Sequence, residues 1–155
     1  MLDPENRIVK LCVTGMEAEA ANRFDMARSC FEQAWAAQQN DLDAAIAAHY
    51  LARHQDTLER ILHWNQVALH HAERASKSIE HQMAVAVAQF FPSLYLNLGK
   101  SYEDMGDVAL ARHYYARAAE QLAQLGAASA PAAEHEHYLT ALQRGIAAAL
   151  HRTRC

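Results

Sequence analysis

The run His49-Tyr50-Leu51-Ala52-Arg53-His54-Gln55 is rich in hydrogen-bonding side chains beside an otherwise alanine-rich helix. A histidine titrates near neutrality, so His49 has the chemistry of a general base. His49, Tyr50, Arg53 and His54 together have the groups needed to line a small-molecule pocket, in a ligand-binding protein or an enzyme. The plainer alternative is a helical histidine satisfied by its neighbours, and spacing alone identifies no nucleophile with a fixed base partner. The ten histidines also raise the question of a metal. His70 and His71 are adjacent and point about 100 degrees apart on a helix, and His135 and His137 diverge likewise. His63 and His70 share a face but stand two turns apart. There is no HExxH or CxxC, and the single Glu-x-x-His pair, Glu134 with His137, falls short of the two that a di-iron bundle needs. Gly15, Gly99, Gly106, Gly126 and Gly145 never cluster into a phosphate loop. No metal or nucleotide cofactor is expected.

The elements that carry these residues are helical. The chain has 155 residues, 52% hydrophobic and much of that alanine, with five Gly and three Pro, a composition for one all-α domain. A net charge of -4 lacks the basic face that nucleic acid requires. Cys12, Cys30 and Cys155 are odd in number and unpaired in spacing, so no disulfide framework or zinc knuckle is indicated. No stretch approaches the length of apolar sequence that spans a membrane, and MLDPENRIVK has no signal-peptide core. A cytoplasmic protein without a membrane partner is the expectation.

Hydrophobic periodicity divides the chain into antiparallel hairpins. Asp3-Pro4 reads as a helix start, with Ile8, Leu11, Cys12, Gly15 and Ala18 recurring to about Asn22, and Phe24 to Gln38 forms the returning helix. Asn40-Asp41 starts a third helix, and Asp56-x-x-Glu59 has the form of a capping box for a fourth, running to about Arg74. One long helix, bent at Pro92, is expected from about Ile79 to Met105. Gly106 and Asp107 then turn the chain into a helix whose inward stripe is Val108, Ala111, Tyr115, Ala118, Leu122 and Leu125. After a small-residue connection that ends at Pro131, the last helix, about 132–151, has Tyr138, Leu139, Leu142, Ile146 and Leu150 on one face. The tail beyond it, ending in Cys155, is expected to fray.

Within this pattern, Tyr95-x2-Leu98-Gly99-x2-Tyr102 followed by Ala111-x3-Tyr115 matches the tetratricopeptide signature W-x2-L-G-x2-Y, A-x3-F, with Tyr for both Trp and Phe. Leu11, Gly15, Ala27, Phe31 and Ala34 fall where Tyr95, Gly99, Ala111, Tyr115 and Ala118 fall, at identical intervals, with Thr14 and Ala18 as departures. The chain therefore resembles the tetratricopeptide repeat superfamily, and its lengthened third repeat resembles those of the kinesin-light-chain and bacterial regulator branches. The resemblance implies a right-handed superhelix of three hairpins, about 3–38, 41–74 and 79–125, closed by a C-terminal capping helix.

It also implies a concave groove lined by the first helix of each hairpin. Counting one step round from the packing positions puts Val9, Met16 and Ala20, then His49 and Arg53, then Leu96, Asn97, Lys100 and Asp104 on that groove. Met16 and Leu96 would supply apolar contact. Arg53, Asn97 and Lys100 would converge on a peptide carboxylate, as in the carboxylate clamp of some family members, though Asp104 offsets Lys100. In the same arrangement Tyr95 and Trp64 would stand near Tyr50 and His54. The expectation is a non-enzymatic adaptor that binds a protein or peptide, with self-association as a homodimer through an open edge or the last helix. A polar ligand pocket around His49, Tyr50, Arg53 and His54 is the competing reading.

Overall fold

The computed structural model describes residues 3–78, 80–128 and 133–154. Ile79, Pro131, Ala132 and Cys155, to which the sequence assigns helix starts and a frayed tail, lie outside the described residues, as does the side chain of His135. The described residues form eight α-helices, α1 (Arg7–Ala20), α2 (Phe24–Ala37), α3 (Asp41–Leu51), α4 (Leu58–Ser76), α5 (His81–Ala88), α6 (Phe91–Asp104), α7 (Val108–Ala128) and α8 (Ala133–Arg152), with a 3-10 turn at Ala52–His54 and no strand. None of these helices is long and apolar enough to cross a membrane. The chain divides into two compact units, Met1–Val87 and Ala88–Cys155.

Local chemistry sets most helix ends where the sequence puts them and moves three. Helix α1 begins at Arg7, because Asp3 and Pro4 build a preceding turn in which Asp3 accepts from Glu5 N at 2.9 Å. Asn6 is the cap instead, its Oδ1 accepting from Ile8 N at 2.7 Å and Val9 N at 3.3 Å. Thr57, not Asp56, caps α4 by accepting from Arg60 N at 3.2 Å, while Asp56 accepts from Arg28 at 2.8 Å. The single bent helix expected across Pro92 is two helices. Pro92 has no N–H for a helical bond, so the chain ends α5 at Ala88 and restarts at Phe91, with Pro92 in the first turn, where none is required. The two hairpin turns match each other. Gly106 has φ of 84° and Asn22, 84 residues earlier, has φ of 57°, each ending its helix in the left-handed conformation.

In the first unit α1 and α2 pair, α3 lies against both, and α4 pairs with α3. Ala44 to Ala48, Leu51 and Ala52 are all buried, so α3 is apolar all round rather than amphipathic. Its small side chains let three helices approach one axis. Asp43 is buried with them but accepts from Asn6 Nδ2 at 2.9 Å and from Gln39 N and Asn40 Nδ2 at 3.2 Å, so the carboxylate is not stranded. Cys12 and Cys30 are buried free thiols, and burial, reinforced by Cys30, pushes Cys12 up to about 12. A thiol so rarely ionised is a small apolar core residue.

The second unit repeats the plan with fewer helices: α6 and α7 pair, and α8 lies against both. The α1–α2 and α6–α7 hairpins are each closed by an aromatic ring on a glycine. A Cβ added to Gly15 would stand 2.3 Å from Phe31 Cε1, and one added to Gly99 would stand 2.4 Å from Tyr115 Cδ1. Both rings are fully buried. Gly15→Ala and Gly99→Ala should therefore each destabilise the chain by about 1–3 kcal/mol through overpacking. Gly126→Ala, with nothing within 4 Å of its Cβ, should be neutral or stabilising by up to about 1 kcal/mol. Urea midpoints for the three variants check the order, and equal midpoints would show that the ring-on-glycine contact does not hold the hairpins.

Candidate functional site

The residues assigned to an inner face come from both units, Val9, Met16, His49 and Arg53 from the first and Leu96, Asn97 and Lys100 from the second. In the first unit Val9 and Met16 on α1 are half-buried and Ala20 is exposed. Arg53 sits not on α3 itself but on the 3-10 turn that follows it. Its guanidinium is held there by Glu19 at the end of α1, with Arg53 to Glu19 contacts of 2.9 and 3.2 Å. His54 Nε2 meets the same carboxylate at 2.8 Å. Glu19 thus gathers two basic groups, and Arg28 adds a bond of 2.6 Å to the His54 carbonyl.

Aromatic packing occupies the rest of the polar run. Tyr50 stacks on Phe31 with ring centroids 5.6 Å apart, and His54 lies 5.4 Å from the same ring. His49 is half-buried, its ring 5.1 Å from Tyr50. Burial, and then the neighbouring charge of Arg53, pull His49 down to about 4, so it is neutral at physiological pH. The run is therefore tied into the hairpin core and to Glu19. Trp64, expected near Tyr50 and His54 in the repeat arrangement, packs edge-on against Trp35 at 4.9 Å within the first unit.

In the second unit Lys100 is ion-paired with Asp104, one helical turn on. Asn97 is half-buried and its carbonyl accepts from Ser101 Oγ at 3.0 Å. Leu96, expected to offer apolar contact in a groove, instead packs against Ala111, Tyr115 and Ala149, and lies 3.7 Å from where a Gly145 Cβ would stand. The closing helix α8 packs beside it and leaves it half-buried, because the sequence count of an inner face took no account of where that helix would lie. Tyr95 is buried in an aromatic ladder, stacked with Phe91 at 5.8 Å and Tyr114 at 6.2 Å, with Arg117 over its ring at 5.2 Å.

Two residues that sequence reasoning passed over organise this geometry. Glu19 and Glu103 are 84 residues apart, the same interval that relates the matched hairpin residues. Glu19 binds Arg53 and His54 beyond the end of α3, and Glu103 binds Arg152 at the end of α8 with two contacts of 3.1 Å. In each unit the first helix thus uses one glutamate to hold the end of the helix that follows the hairpin. Tyr115 also donates its hydroxyl to Glu103, and Arg152 and then Tyr115 hold that carboxyl below the usual range. The recurring interval was the available signal; the partners, 34 and 49 residues away, were not.

A family model described as tetratricopeptide repeat matches residues 92–121, which span nearly all of α6 and two thirds of α7. No curated protein and no solved structure matches the chain.

The His49 environment sets a pH dependence. Unfolded, the side chain titrates near 6.5, and folded, near 4. Between those values the unfolded chain binds a proton that the folded chain refuses, so stability falls as pH drops, by up to about 1 kcal/mol per pH unit. His49→Gln should flatten the loss between pH 6.5 and pH 4. The carboxylates Asp41, Asp56 and Glu103, held low by their basic partners, titrate in both proteins and cancel from the difference. Urea unfolding across this range measures the difference, and parallel curves would remove His49 from the account.

Proposed function

We propose, from the match of residues 92–121 to a tetratricopeptide repeat model, that the chain is a protein- or peptide-binding helical-repeat scaffold. The observation that carries this reading is the α6–α7 hairpin, in which the family match at residues 92–121 coincides with the close approach of Tyr115 to Gly99. A scaffold of this kind typically mediates protein–protein interaction. The finer proposal is an adaptor with binding positions in each unit taken by itself, Met16, His49 and Arg53 in the first and Asn97 and Lys100 in the second.

Leu96, half-buried against α8, offers that set only part of its side chain. The cations that remain have internal partners, Arg53 with Glu19 and Lys100 with Asp104. A peptide carboxylate must displace such a partner. At the exposed Lys100 the competition is mild, because a surface pair of this type is worth only about 0.3–0.5 kcal/mol. Recognition therefore rests on shape and apolar contact first, with charge setting orientation.

A displayed library of peptides with free C-termini, panned against the whole chain, tests the reading. Selected peptides should bind about tenfold more weakly to Lys100→Ala or Asn97→Ala. Asp104→Asn, which removes the internal competitor of Lys100, should strengthen binding about twofold. A library that yields no peptide sensitive to these residues, to Arg53→Ala or to Met16→Ala would overturn it.

A further inference from the structure

The two units share a plan, but one lacks its last part. In the first unit α3 follows the α1–α2 hairpin, and in the second α8 follows the α6–α7 hairpin. The equivalence of α3 and α8 is fixed twice. Ala44, Ala48 and Leu51 are buried at the same spacing as Leu142, Ile146 and Ala149. The basic groups that bind Glu19 and Glu103 stand at matching ends.

In the first unit α4 then covers both α2 and α3. Trp64 packs on Trp35 of α2, and His71 and Arg74 bind Asp41 of α3 at 2.7 and 3.0 Å. Among the described residues of the second unit no helix takes that place. A mostly apolar groove of about 500 Å³ is left between α7 and α8, lined among others by Ala119, Leu122, Leu139, Gln143, Ile146 and Leu150. Ala119 is the counterpart of Trp35, 84 residues on, so the side chain that fills this position in the first unit is reduced to a methyl. Gln143 is exposed where its counterpart Ala45 is fully buried beneath α4.

We infer that this groove receives α8 of a second copy of the chain, packed antiparallel to the first α8 about a twofold axis. The first unit shows that the groove takes a helix, and charge selects which helix. The groove-facing side of α8 runs from Glu136 to Leu150, and Arg154, exposed, follows two residues beyond the end of the helix. An antiparallel pair in the register that joins Glu136 to the second copy's Arg154 also sets Leu139 and Thr140 against Leu150, and Gln143 against Ala147. An isologous interface needs one patch that complements itself in this way. Opposite charges at the two ends fix both direction and register. The groove shares no residue with the positions proposed for peptide binding, so the failure of either proposal leaves the other standing.

Sedimentation of the full chain with charge-reversal variants decides it. The natural chain should be a dimer at about 100 µM. Glu136→Arg and Arg154→Glu should each weaken the dimer about tenfold or more, and the double variant should restore it. Ala147→Arg, at an exposed position on the groove, should give a monomer with unchanged helicity by circular dichroism. A chain that is monomeric at that concentration, or a double variant no better than the single ones, would overturn the pairing and leave the groove to a helix of another protein.

Discussion

The seat of Phe31 on Gly15, and of Tyr115 on Gly99, sets how closely two helices can run, and the remaining packing follows from that separation. With a hydrogen in place of a methyl, each ring enters the space between the helices and is wholly buried. The alanines that flank each ring on the second helix, Ala27 and Ala34 or Ala111 and Ala118, are then fully buried too. A larger residue at any of these places would wedge the pair apart. The first unit relies on this contact and on the alanine-lined α3; the second adds the Tyr115 hydroxyl, which reaches Glu103 and through it Arg152.

Charged groups repeat the logic of the core. One glutamate near the end of each hairpin's first helix, Glu19 or Glu103, meets basic groups at the end of the next helix in its unit. These contacts are partly shielded and multidentate, which sets them apart from exposed pairs such as Lys10 with Glu5. Their functional consequence is that Arg53 and His54 are structural partners before they are anything else. An anion that seeks Arg53 must compete with a carboxylate already in contact.

Burial of the helix that follows each hairpin depends on what comes after it. Helix α3 is apolar on every side because α4 covers what α1 and α2 do not. Helix α8 buries Leu142, Ile146 and Ala149 and leaves Gln143 and Ala147 in solvent. The same position in the architecture therefore carries different side chains, and that difference marks the open groove.

Periodicity and composition determined the all-α class, the hairpins and the matching places of Gly15, Phe31, Gly99 and Tyr115 within them, because each is written in residues that are neighbours along a helix or related by one fixed interval; that each ring sits on its glycine only the packed pair of helices decided. The turn at Gly106 was equally legible, since few residues adopt a positive φ. Caps were legible to within a few residues, since Asp3, Asn6, Asp56 and Thr57 are all able acceptors and only long-range partners such as Asp43 and Arg28 select among them. The candidate site was legible only as a set of positions. Which cation meets which carboxylate, and that α8 packs beside Leu96, depend on helices tens of residues apart in sequence. Side-chain spacing along one helix says where a residue points, but only the packed neighbour decides whether anything can reach it.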